Sequence, residues 1–343
     1  MRILSLLLIA VLLGSCEDNG KAVLPGKVGP AGELLVVCTE RVWNGPVGAT
    51  IRNVVQKPYP VTPQAEDHYD VLRIDPIQFD KFYKPHRNVL VVDIDDRIDT
   101  QEPSFKFYRE KYSQNQIYME AKGKTPKAVA DVILERKNEF LSVLNNAEID
   151  RIMLNVRAFD NEALSADLAK KYGFTLDIPR DGQLVQESEN FIWIQREMTR
   201  MKGGQNHDVK EGFFIYTYPY TTDSVFSMQW LIEKRNEVLR ANVRGGNEGS
   251  YMTTATALTP RYEEITFKGQ FAAEIRGLWE MENDFMGGPF YMLTFYDEAA
   301  KQIVTLDGYA YAPYFNKREY IREVEAVLKS FRKVKKATAQ PSE

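Results

Sequence analysis

The sequence predicts an α+β protein in two halves, each a mainly antiparallel sheet with helices packed on one face. Three observations carry that reading. Short apolar runs bounded by turn residues follow one another without helical crossovers, and strands joined so closely pair antiparallel. Both halves run from a strand and a helix through a proline- or glycine-rich loop to several strands and a long closing helix. That order points to an internal duplication, although the residues barely match. Finally, 343 residues make about two domains. Hydrophobic residues at 44% and charged residues at 27% belong to a globular chain and exclude a disordered one.

The N-terminal half is expected over residues 33–180. Leu34–Val37 is a continuous apolar run, so Glu33–Thr39 reads as a buried strand ending at Cys38. Val47–Gln56 has helical spacing, and a loop with Pro58, Pro60 and Pro63 follows. Strands are expected near Tyr69–Asp75, Asn88–Ile94 and Gln116–Ala121. Thr125-Pro126 is a helix start, with threonine as cap and proline in the first turn, where its missing donor costs nothing. Apolar spacing from Val129 to Val156 then gives one long helix, or two broken near Asn145-Asn146. Asp160 can cap a further helix closed by Gly173, since glycine suits the left-handed residue there. A short strand, Phe174–Ile178, ends this half.

The C-terminal half is expected over residues 181–332. Strands are expected at Asn190–Glu197 and Phe213–Tyr218, then a helix from Ser224 to Ala241 capped by Asp223. More strands follow near Tyr251–Ala257, Phe271–Met281, Phe290–Tyr296 and Ile303–Tyr311, with Gly287-Gly288-Pro289 as a sharp turn. The last helix, Lys317–Arg332, has Asn316 and Glu319 at capping-box spacing and an apolar stripe through Ile321, Val324, Val327, Leu328 and Phe331.

The chain begins as an exported protein does. Arg2 precedes an apolar run, Ile3–Leu13, broken only by Ser5 and too short to span a bilayer. Residues 1–15 therefore read as a signal peptide. Leu13-Gly14-Ser15-Cys16 resembles a lipoprotein lipobox, which implies that Cys16 becomes the lipidated first residue. Residues 16–32, rich in glycine and proline, read as a flexible tether, and 333–343 as a disordered tail. The expected place is the cell envelope, anchored by lipid at the outer membrane, with the leaflet open. With Cys16 acylated, Cys38 has no disulfide partner and reads as a core thiol.

No motif marks a catalytic residue, a cofactor or a metal. Gly245–Ser250 has the glycines of a phosphate loop but neither the lysine nor the following helix. The net charge of −4 offers no basic footprint for nucleic acid. Glu66, His68 and Asp70 alternate in one extended segment and could form a ligand cluster. His86 and His207 read as surface residues. Glu274, Glu280, Glu282 and Asp284 could pair for glycoside hydrolysis. Arg276 beside Glu274 could hold an anion or be an ion pair. Trp279, Tyr216, Tyr218, Tyr309 and Tyr311 offer stacking surfaces for a ligand, or cross-strand pairs. These residues favour a non-catalytic module that binds a glycan or an envelope protein through a sheet face or the cleft between the halves. An envelope hydrolase acting on glycans through the carboxylates of 274–284 is the alternative.

Several segments together also resemble a known family. They are Gly32–Val37 with Trp43, Arg87-Asn88, Asn190–Trp193, Tyr216–Tyr220, Gly249–Met252, Arg276–Trp279, Met286–Phe290 and Lys317-Arg318. The combination is similar to the domain of unknown function 4837 of Bacteroidota lipoproteins, over nearly the whole chain from Gly29 to Phe331. The resemblance implies an envelope location and supplies no mechanism.

Overall fold

A computed structural model describes residues 23–97 and 102–334. The expected signal peptide, Cys16 and the tail from 335 lie outside the described residues.

Strand β1 (Glu33–Val37) buries Leu34 to Val37 on both its faces, the pattern of a strand covered on two sides. Helices α1 (Glu40–Trp43) and α2 (Pro46–Val55) carry the chain back to β2 (Asp70–Ile74), parallel to β1. Strand β3 (Asn88–Ile94) lies parallel on the other side of β1. The edge strand β4 (Ser104–Arg109) pairs antiparallel with β5 (Ile117–Gly123), which is parallel to β3. The order is β2-β1-β3-β5-β4. This corrects the expectation of an antiparallel N-terminal sheet: its pairings are parallel except at β4.

Helices α2, α3 (Pro126–Glu135) and α4 (Lys137–Ala158) cover one face of this sheet. The 75–87 connection covers the other with Phe79 and Tyr83. Thr125 caps α3 by accepting from the Ala128 amide at 3.2 Å. The helical stretch breaks at Arg136, not at Asn145-Asn146, which lie inside α4.

Helix α5 (Glu162–Tyr172) is capped by Asn161 in place of Asp160 and closed by Gly173 at φ 75°. Strand β6 (Phe174–Thr175) follows, and Leu168, Leu176 and Ile178 pack in the C-terminal core. Next come β7 (Gln183–Glu187), β8 (Phe191–Lys202), β9 (Gln205–Pro219), α6 (Met228–Asn242), β10 (Tyr251–Thr254) and β11 (Arg261–Phe267). Strands β12 (Gln270–Glu282), β13 (Gly287–Asp297) and β14 (Gln302–Tyr311), helix α7 (Arg318–Lys329) and β15 (Arg332–Lys333) complete the half. Ser227, not Asp223, caps α6, behind a short turn of 3₁₀ helix at Asp223–Phe226.

The second sheet is antiparallel throughout, ordered β10-β12-β13-β14-β9-β8-β7 with β11 beside β12. Its helices cover both faces: α6 packs over Phe214, Tyr216 and Trp279, and α7 over Phe213, Leu293 and Leu306. Gly287-Gly288-Pro289 is no turn but the start of β13, paired with Glu280, Trp279 and Leu278. With one parallel-cored sheet and one antiparallel sheet, the halves share no topology that would mark a duplication.

Part of the expected tether is docked. Val28 bonds both ways across the Pro85–Arg87 backbone, and the Gln114 side chain donates to the Leu24 carbonyl at 2.7 Å.

Candidate functional site

Helix α7 is the seam between the halves. Its first amides, from Lys317 and Arg318, donate to the Glu66 carboxylate at 2.6 and 2.8 Å. Arg318 reaches the Asp67 carbonyl and Asp70, and Arg322 donates to the His68 carbonyl at 2.8 Å. The Arg322 guanidinium also lies over the rings of Tyr59 and Tyr69, 5.0 and 4.8 Å from their centroids. The Asn316–Glu319 box therefore does not form. Glu319 turns to Arg318 and Arg322, and a carboxylate from the other half supplies the cap. The expected cluster of Glu66, His68 and Asp70 is dispersed: Glu66 caps α7, Asp70 meets Arg318, and His68 Nδ1 lies 3.1 Å from the Lys57 carbonyl. Among the described residues no group of three such side chains is arranged to hold a metal ion.

Beside this seam lies a cleft of about 420 Å³, walled by the 57–68 segment, α4, the β11–β12 pair and α7. Four charged groups form its floor. Arg276 Nε donates to Glu274 at 2.9 Å and Nη2 meets Glu325 at 2.9 Å. Lys329 Nζ meets Glu325 at 2.6 Å and Glu274 at 3.8 Å. Tyr291 donates its hydroxyl to Glu274 at 2.8 Å, and Arg276 stacks over its ring. Burial alone would raise the Glu325 pKa, but Arg276 and Lys329 overcome it and hold the carboxyl at about 2. Burial likewise opposes the charge on Lys329, and Glu325 and Glu274 more than restore it. The quartet is thus a balanced ionic cluster in which Arg276 and Lys329 favour the ionised form of Glu325.

The sequence-predicted residues divide between the two faces of the second sheet. Glu274 and Arg276 face the cleft. Trp279, Tyr216 and Tyr309 lie on the other face, 1%, 2% and 4% exposed beneath α6, with Tyr218 and Tyr311 packed beside them. Tyr309 donates to Gln195 at 2.7 Å, and Tyr218 shares a hydrogen bond with Thr305 at 3.1 Å. These aromatics are core, not an open stacking surface. Glu280 and Glu282 are exposed at the far end of β12, and at the rise of a strand Glu280 is about 20 Å from Glu274. That exceeds the roughly 5–9.5 Å of a glycosidase pair. His86, expected at the surface, is buried, with Nε2 2.8 Å from Glu33. Cys38 is buried and free, its thiol pKa raised by burial.

Sequence reasoning singled out Glu66 but not its role as the cap of α7, and it missed both Glu325 and Lys329. The last two were marked only by an i,i+4 carboxylate–lysine spacing bordering the apolar stripe of α7.

Two family models match the chain. Residues 161–330 match a domain of unknown function (DUF4837), and residues 27–157 match another domain of unknown function (DUF8532). The expected likeness to the first is thus restricted to the C-terminal half, and the motifs at Gly32–Trp43 and Arg87-Asn88 fall in the second. No curated protein matches the chain. The seam thus joins a segment similar to one family of unknown function to a segment similar to another.

Proposed function

We propose that this is a lipid-anchored protein of the cell envelope, held at the outer membrane, that binds a small anionic, hydroxyl-rich ligand such as a glycan fragment without transforming it. The anchor rests on Arg2, the apolar run Ile3–Leu13 and the lipobox-like Leu13–Cys16. The binding site is the inter-half cleft, and its lining carries the reading. Of the five cations along that lining, Arg276 and Lys329 are balanced in the quartet, Arg261 pairs with Glu263 and Arg322 with Glu319, which leaves the exposed Lys57 as the surplus positive charge on the rim. Asn138, Asn145 and Asn146 add amides that can both donate to and accept from hydroxyls. A few oriented polar groups in a cavity of this size are what small-ligand sites use for specificity.

The test is a thermal-shift series on the purified protein with acidic and neutral glycans and peptidoglycan fragments. Ligand at 100 times its Kd should stabilise the fold by about 2.7 kcal/mol. At about 2–4 °C per kcal/mol for domains of this size, that is an upward shift of roughly 5–10 °C. Lys57→Glu, which reverses an exposed charge on the rim, should abolish the shift. A flat panel, or a shift indifferent to Lys57→Glu, overturns the ligand reading. In cells producing the full chain, Cys16→Ser should move the protein from the membrane to the soluble fraction, and retention at the membrane overturns the anchor.

A further inference from the structure

On the face of the second sheet opposite the cleft, a separate cavity of about 360 Å³ opens between the β11–β12 pair and the turn leading into α6. Six residues line it: Phe226, Tyr262, Phe271, Asp223, Glu264 and Ser227. From this composition we infer a binding site for an alkylammonium group, with three aromatic rings as walls and two carboxylates at the rim.

The geometry is that of a corner. Phe226 and Phe271 stand edge to face, 5.1 Å between centroids and 85° between planes. Tyr262 and Glu264 project from β11 on the same face as Phe271, because Glu264 pairs with Ala273 and Thr266 with Phe271 across the ladder. Asp223 and Phe226 come from the turn before α6, whose cap is Ser227. The site is therefore assembled from two separate elements of the fold.

The chemistry selects one class of ligand. Aromatic faces carry negative potential, and a weakly hydrated organic cation gains from them what a strongly hydrated inorganic ion cannot. Asp223 and Glu264 add full negative charge, and no lysine or arginine belongs to the lining to cancel it. They accept from the Tyr220 and Tyr262 hydroxyls, at 2.5 and 3.4 Å, and neither is in an ion pair among the described residues. An anion is repelled, and a neutral ligand forgoes the electrostatic gain. Phe271, 46% exposed on a strand whose neighbours Ala272 and Ala273 are buried, is the wall left uncovered.

The experiment titrates choline into the purified full chain by ligand-observed NMR, beside 3,3-dimethylbutan-1-ol, its neutral isostere. Choline should bind with a millimolar Kd, and the isostere at least about fivefold more weakly. Phe271→Ala and Glu264→Gln should each weaken choline by roughly three- to tenfold. Glu264 is exposed and Phe271 about half so, and an unchanged melting temperature verifies that the fold tolerates their loss. Lys57→Glu, in the inter-half cleft, should leave choline binding unchanged, which separates this site from the one proposed above. Co-sedimentation with phosphatidylcholine but not phosphatidylglycerol vesicles, lost in Phe271→Ala, assigns the ammonium to a lipid headgroup. Binding of free choline without co-sedimentation assigns it to a solute. Equal affinity for choline and the isostere, choline binding untouched by Phe271→Ala, or no binding at tens of millimolar overturns the inference.

Discussion

His68 lies 5% exposed between the halves, its ring against Tyr59, with Lys57, Arg322 and Arg261 as its charged neighbours. Burial first, and those cations after it, lower its pKa from 6.5 to about 4, in spite of the hydrogen bond to Lys57 that favours the proton. In the unfolded chain the ring titrates near its ordinary value. The unfolded state therefore takes up a proton that the folded state refuses, and stability falls as pH drops from about 6.5 toward 4. At about 1.4 kcal/mol per pH unit the loss reaches up to about 3 kcal/mol at the acid end. Urea midpoints measured at pH 7.5 and 4.5 should separate in the wild type and separate less in His68→Gln. Equal pH dependence in the two proteins would show that His68 is not the group responsible. The alternation of Glu66, His68 and Asp70 was readable in the sequence. What was not readable is that each has a different partner, two of them more than 240 positions away.

Among the elements, those with a buried face of their own were read nearly to the residue. Strand β3 spans Asn88–Ile94, as the apolar run predicts, and Thr125-Pro126 begins α3 because cap and proline act locally. Strands β4, β7 and β11 escaped notice, and all three are sheet edges with mostly exposed or half-exposed residues. Strand β7, exposed along nearly its whole length, has no apolar alternation to display, whereas in β4 the alternation is confined to Phe105-Lys106-Phe107. The parallel pairing around β1 was hidden for a different reason, since a fully apolar run marks a strand covered on both faces but does not say which way its neighbours run. Helix α7 depends on one such hidden fit. A Cβ at Gly308 of β14 would lie 2.6 Å from Val324 Cγ1 and 2.7 Å from the Gly212 carbonyl oxygen, so the helix beds on a bare backbone. Gly308→Ala should lift α7 from the sheet and cost about 1–3 kcal/mol, read as a lower urea midpoint. An unchanged midpoint would mean that the helix shifts at no cost.

Across the whole molecule, the seam carries the largest commitment. Arg276 and Glu274 could be picked from the alternation of β12, but their partners Glu325 and Lys329 lie on a helix whose placement only the tertiary fold decides. Glu66 reaches 251 positions along the chain to cap α7 and is 7% exposed there. Glu66→Ala leaves two amides without an acceptor in a buried site, and should cost about 2 kcal/mol or more. Because that bond joins the halves, hydrogen exchange should quicken both at the α7 amino terminus and in the 57–70 segment. Faster exchange at only one of the two would show that the halves are held together elsewhere.

The two family matches meet between residues 157 and 161, yet apart from Glu319 the partners of Arg318, Arg322 and the first turn of α7 come from the other side of that point. The boundary is therefore one of ancestry and not of autonomy. A relative that exchanged residues 27–157 for an unrelated neighbour would have to inherit, with that neighbour, a new carboxylate at the head of the helix and new acceptors for two stranded guanidinium groups.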